Sequence, residues 1–331
     1  MAQIVLGLAT SHSPLLTFGV DTWLEKADDD KRRKLNLSDG RMVSYAQLEA
    51  ERGTGYAPLA TTEHLEGQRK KCHDALDRLA DELANAAPDV VVIVGDDQAE
   101  LFSLANMPAV SIFYGERIVT HPWGEADEHM PGWKAAAAKG YGMDTTHTYA
   151  GARDFSLALI EGLIAREVDI GAASEVINPK VAGFGHAYGF VIERLFRGRE
   201  IPVAPVLLNT YLVPNVPTAS RCYDIGRHLR AIVDAMPAKA RVAVIASGGL
   251  SHFTTDEELD RGVLDALRNK DAAHLRAVPA AALKSGSSEI LNWILTAGAL
   301  EHLPLAWMEY LPIYRTPAGT GIGMGFAAWR G

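Results

Sequence analysis

The chain has 331 residues, 48% of them hydrophobic and 22% charged, with a net charge of −9. That length allows one large domain or two moderate ones around a substantial core, and the composition is that of an ordinary globular protein. The acidic balance, with no basic stripe, argues against a nucleic-acid partner and against binding to an anionic membrane surface.

The chain opens on a short apolar strand, residues 4–8, too brief for a membrane span and without the basic segment of a signal peptide. Residues 21–60 follow as a charged, irregular insertion carrying a KADDDKRRK run, expected as a surface lid or a subunit contact. Helical spacing of Cys72, Leu76, Leu79 and Leu83 predicts a helix over 66–84, and the β-branched run at 90–94 predicts a second strand. Further strands are expected near 109–113, 203–208 and 242–246, and helices near 154–166, 188–197, 219–235, 256–268 and 288–300. Residues 307–314 and 321–329 read as two closing strands. Earlier in the chain, 115–151 reads as a second insertion, rich in Gly, His, Trp and Pro and without clean periodicity, as functional loops often are. The alternation predicts an α/β fold: a single large domain over 1–331 with a central mixed, largely parallel sheet covered by helices. Cys72 and Cys222 stand outside any CxxC pair, which fits a reducing compartment, and a cytoplasmic location is the expectation.

Ligands of an open α/β sheet bind beyond the carboxyl ends of its strands. Three such ends carry chemistry here: Ser11-His12-Ser13-Pro14, Asp96-Asp97-Gln98, and Ser247-Gly248-Gly249-Leu250-Ser251-His252. His12 reads either as a metal ligand or as a histidine bonding backbone at a strand end. His252 sits behind two glycines that permit close backbone approach, and it reads either as a general base or as a helix-terminal histidine. His186 lies in a glycine-flanked turn, where it either faces a ligand or merely occupies the turn. Glu289 opens an apolar helix, as a metal ligand or as a first-turn acid favoured by the helix dipole. Of the remaining histidines, His121, His129 and His147 lie in the long loop, from which they can approach the site. Two histidines and a carboxylate are the donor set of non-haem iron(II) oxygenases, whose facial triad leaves open positions for substrate and O₂.

In order along the chain, SHSP at 11–14, the turn at His186, SGGLSH at 247–252 and S-E-I-x-N-W at 288–293 resemble the class III extradiol dioxygenases, the family of the protocatechuate 4,5-dioxygenase β subunit. The insertion, the GDDQAELF segment and the closing YRTPAGTGIGMGF look most like the 3-O-methylgallate 3,4-dioxygenase branch, which has no separate small subunit. The resemblance implies that His12 and Glu289 ligate iron(II), that His252 is the acid/base residue, and that His186 bonds the substrate or an intermediate. The family places its second iron-binding histidine in an N-D-H or P-D-H triplet, where this chain has Asp96-Asp97-Gln98. Gln98 is then the third ligand, or water or a loop histidine fills its place, or the metal site is degraded. The implied reaction opens a catechol-type ring with O₂, 3-O-methylgallate or a related gallate or protocatechuate being the expected substrate. Another dihydroxy-aromatic or a dihydroxypyridine is the alternative, and a non-catalytic relative or a metal-dependent hydrolase stands outside that chemistry. A substrate carboxylate has Arg221, Arg227 and Arg315 as candidate partners. Family members commonly form homodimers or larger oligomers, which is the expectation here.

Overall fold

Nine strands rich in Val, Ile and Ala build one central sheet in the computed structural model of the chain, which describes residues 1–123 and 132–331. In chain order they are β1 (Gln3–Thr10), β2 (Val90–Asp96), β3 (Val110–Phe113), β4 (Gly171–Ala173), β5 (Val203–Leu208), β6 (Arg241–Ser247), β7 (His252–Thr254), β8 (Leu305–Tyr314) and β9 (Thr320–Arg330). The spatial order is β7-β9-β1-β6-β2-β5-β3-β4, and β8 also pairs with β9. β1, β6, β2 and β5 run parallel, while β9 is antiparallel to β1, β7 and β8, and β3 is antiparallel to β5. This is the mixed, helix-covered sheet that the alternating pattern predicts.

Both faces of the sheet are buried, so its strands are apolar on both sides. Val92 and Val94 of β2 join one core, with the helix Arg153–Ile164 and later helices, while Val91 and Ile93 join the other. The helices that bear on the site and its support are α1 (Val20–Arg32), α2 (Thr62–Ala86), α3 (Ala219–Ala235) and α4 (Ile290–Leu300). α3 and α4 cover the first face, and α2 covers the second. Among the described residues no helix is long and apolar enough to cross a membrane.

α3 and α4 touch backbone to backbone. A Cβ on Gly226 would lie 1.9 Å from the Leu295 carbonyl oxygen, and one on Gly298 would lie 2.2 Å from that of Tyr223. Gly226→Ala is therefore expected to push the helices apart and lower stability by about 1–3 kcal/mol. A denaturant midpoint equal to that of the parent would refute this close crossing.

The insertion is more regular than its composition predicts. Residues 20–32 form α1, residues 35–36 and 42–43 pair as a short hairpin, and Tyr45–Arg52 is a helix behind a Ser44/Gln47 capping box. The charge run conceals a helical stripe in which Val20, Trp23, Ala27 and Asp30 are all buried. Asp30 disguises the stripe because its burial is made tolerable by Arg315, far along the chain. The loop at 115–151 likewise holds a ribbon of Arg117–Val119 with Thr148–Ala150, and the helix Gly132–Gly140. Its His129 lies outside the described residues. The helix expected over 188–197 begins at His186 and passes after Val191 into a wider π-type turn, Ile192–Phe196.

Candidate metal centre

The parallel strands β1, β2 and β6 deliver their carboxyl-end loops to one place, and the N-terminus of α4 meets them there. His12, Asp96, His186 and Glu289 are all buried, and each offers a ligand atom within 4.8 Å of the others. His12, His186 and Glu289 floor a cavity of about 610 Å³, with Asp96 packed behind them, and its lining also includes Gln98, Trp123, Tyr141, Tyr211, His252 and Phe253.

His12 has its tautomer fixed by its neighbours. Ser247 Oγ donates its single proton to the Ala187 carbonyl at 2.6 Å, so it accepts from His12 Nδ1–H at 3.0 Å. In the neutral ring Nε2 then carries the lone pair. That atom is buried and makes no hydrogen bond, although it faces Glu289 Oε2 at 3.1 Å and Asp96 Oδ1 at 3.8 Å. A lone pair turned toward two buried carboxylates is an unfavourable arrangement until a cation occupies the space between them.

Glu289 accepts a 2.6 Å hydrogen bond from the Gly249 N–H. Burial disfavours its charge; positive charge on His12 first, then on His252, together with the Gly249 N–H holds its carboxyl well below the usual range, and with both rings neutral that role passes to a bound cation. The glycine pair of the SGGLSH turn allows this approach: a Cβ on Gly248 would lie 3.0 Å from Glu289 Cβ, and one on Gly249 would lie 2.3 Å from His252 Cε1. The asparagine and tryptophan of the last motif hold the strand ends together. Asn292 Nδ2 donates to Ser247 O at 2.8 Å and to Asp96 Oδ1 at 3.3 Å, while Trp293 Nε1 donates to Gly248 O at 2.8 Å.

The two aspartates after β2 have different tasks. Asp97 turns away and accepts the backbone N–H groups of Glu100, Leu101 and Phe102, closing the loop. Asp96 points into the cluster, where burial and then the charge of Glu289 raise its pKa. Two adjacent carboxylates without a cation disfavour double ionisation, which again suits a divalent ion. Gln98 donates its amide N–H to Asp96 Oδ2 at 2.9 Å, and the same nitrogen lies 3.5 Å from His186 Nε2.

His252 beside this group and His186 within it have opposite protonation states. His252 Nδ1–H donates to Leu250 O at 2.8 Å; burial lowers its pKa more than Glu289 raises it, so the ring is neutral with Nε2 free. Its Nε2 lies 3.9 Å from Glu289 Oε2. His186 is the reverse case. Burial disfavours its charge, but Glu100, at 2.7 Å from Nδ1, and then Asp96 raise it to about 10.

The structure thus brings together all five residues singled out in the sequence, and adds Asp96, Glu100 and Tyr141, whose hydroxyl donates to His12 O at 2.7 Å. Asp96 carried a signal in the Asp-Asp-Gln triplet; Glu100 and Tyr141 carried none. The two described loop histidines are engaged elsewhere: His121 Nδ1 bonds Pro179 O, and His147 bonds Asp144. Of the three arginines considered for a substrate carboxylate, only Arg315 lines the cavity, and it is engaged by Asp30. Arg227 sits on α3 against Glu301, and Arg221 lies on that same helix, outside the cavity lining.

The family described as "Catalytic LigB subunit of aromatic ring-opening dioxygenase" matches residues 57–325, a span that begins after His12 and the inserted helix. A gallate dioxygenase of Pseudomonas putida (strain KT2440) is 32% identical over 111 residues, covering 30% of this chain and 32% of that protein. The matched stretch thus spans about a third of the length of that curated relative.

Proposed function

Because the chain belongs to the family of the catalytic LigB subunit of aromatic ring-opening dioxygenases, we propose that it is an extradiol dioxygenase using iron(II) to open a catechol-type ring. 3-O-methylgallate, or a related gallate or protocatechuate, is the proposed substrate; the likeness to a gallate dioxygenase supports that substrate class. The observation carrying the reading is the bare, buried Nε2 of His12 turned toward the carboxylates of Glu289 and Asp96, with a neutral His252 alongside.

The ion would be held by His12, Glu289 and Asp96, a nitrogen and oxygen donor set suited to iron(II). We assign the third position to Asp96 in place of the Gln98 expected from the motif. Asp96 contributes charge and faces His12, whereas the Gln98 amide nitrogen is spent in holding Asp96. When bound, iron would supply Lewis acidity toward the diol hydroxyls and redox contact with O₂.

The remaining work falls to the protein. His252 Nε2 accepts the proton of a diol hydroxyl, and the Leu250 carbonyl, by fixing Nδ1–H, keeps the ring aimed. His186, kept charged by Glu100, donates from Nε2 to the oxygen on which negative charge develops. Trp123, Tyr141 and Phe253 wall the ring and exclude water. His252→Ala is expected to cut kcat by about 10²–10⁴-fold while metal content stays at the parent level. Loss of metal from this variant, or unchanged turnover, would contradict the acid/base role.

A further inference from the structure

The inserted helix α1 lies before residue 57, where the family match begins, yet it walls the same cavity as the metal centre. It brings Lys26, Asp29 and Arg32 to that wall, and Arg33 follows at its end. Their charges are not equally free. Asp29 has Arg32 at 3.9 Å, and the cavity's Arg315 is paired with buried Asp30. Lys26 and Arg33 have no ion pair among the described residues. Each instead lies over an aromatic face: Lys26 Nζ is 3.4 Å from the Trp133 ring centre, and Arg33 Cζ is 3.6 Å from that of Phe253. A ring face attracts a cation without neutralising it, so both remain able to take an anion.

We propose that Lys26, with Arg33 beside it, forms a cationic subsite that receives the carboxylate of an anionic aromatic substrate. The assignment rests on the ring-cleavage reading above and deepens it. The charge layout of the cavity sets the orientation. Asp96, Glu100 and Glu289 gather at the floor with His12, where a carboxylate would be repelled and a metal-chelating diol accepted. The unpaired cations stand on the α1 side, so a ring carrying a diol at one end and a carboxylate at the other has one favourable direction. A cavity of about 610 Å³ accommodates a single substituted ring. Burial, then the nearby Arg315, pull the Lys26 ammonium down to about 8, more than the charges of Asp29 and Asp30 raise it.

The test is equilibrium binding of 3,4-dihydroxybenzoate and of its neutral methyl ester to anaerobic, iron(II)-loaded protein, followed by tryptophan fluorescence. The parent should prefer the acid by about tenfold or more, as a charge-assisted hydrogen bond in a partly buried site gives. Lys26→Met should lose most of that preference while binding the ester as before, Lys26→Arg should keep it, and Arg227→Met on the far face should change nothing. Equal binding of acid and ester by the parent, or an undiminished preference in Lys26→Met, would overturn the subsite and leave the ring-cleavage reading standing. Failure of both ligands to bind the parent would overturn that reading and the subsite with it.

Discussion

Glu289→Ala protein is expected to lose its metal and all measurable ring opening while remaining folded. Glu289 supplies charge directly opposite the bare Nε2 of His12, and its carboxylate is held ionised in a fully buried site. Loss of a mere supporting partner of a metal ligand typically costs about 10–100-fold in affinity, so loss of a charged ligand should cost more. His12→Ala should behave alike, since no other bare imidazole nitrogen faces both carboxylates among the described residues. Asp96→Asn should also release most of the metal. Gln98→Leu should retain it with a modest loss, because the amide acts through Asp96. Metal content after gel filtration, read beside circular dichroism, checks the series. Metal kept by Asp96→Asn and lost by Gln98→Leu would reverse the assignment of the third ligand.

The second large effect lies in stability. Asp30 is 2% exposed and Arg315 5%, and the Asp30 carboxylate accepts from Arg315 Nε at 2.9 Å, Arg315 Nη2 at 3.1 Å and Thr320 Oγ1 at 2.9 Å. Asp30→Ala leaves a buried guanidinium without its counter-charge, which costs about 3–5 kcal/mol. Removing both charges is a different matter, since an apolar pair of similar volume often matches or exceeds a buried ion pair. The double variant Asp30→Leu/Arg315→Met should therefore recover much of what the single one loses. Urea unfolding measures both, and a parent-like midpoint for Asp30→Ala would refute the role of the pair in docking α1. Because α1 carries Lys26 into the cavity, partial undocking should also weaken the preference for an anionic ring.

The two halves of the fold differ in how readable they are. β2, β5 and β6 are continuous apolar runs because helices cover both faces of the sheet, so their limits and the loops after them follow from composition alone. His12, His186, His252, Gln98 and Glu289 were legible because each stands beside a strand end, a glycine turn or a helix start within a motif of the family resemblance, and all five line the one cavity. α1 was not, because its buried stripe includes a charged residue whose partner lies 285 positions away. The same holds for Glu100 and Tyr141, which reach the site only through tertiary packing. The Asp-Asp-Gln triplet lies beside the cluster, but which of its side chains turns inward depends on the backbone: Asp97 is consumed by three N–H groups, leaving Asp96 to face His12.

The most direct measurement is oxygen uptake by anaerobically purified, iron(II)-loaded protein offered 3-O-methylgallate, gallate and protocatechuate in turn. The predicted result is one O₂ consumed for each ring opened with at least one of them, abolished in His12→Ala and Glu289→Ala. No uptake with any of the three, in protein that also fails to retain iron, would contradict the assignment of a ring-cleaving metal centre to this cluster.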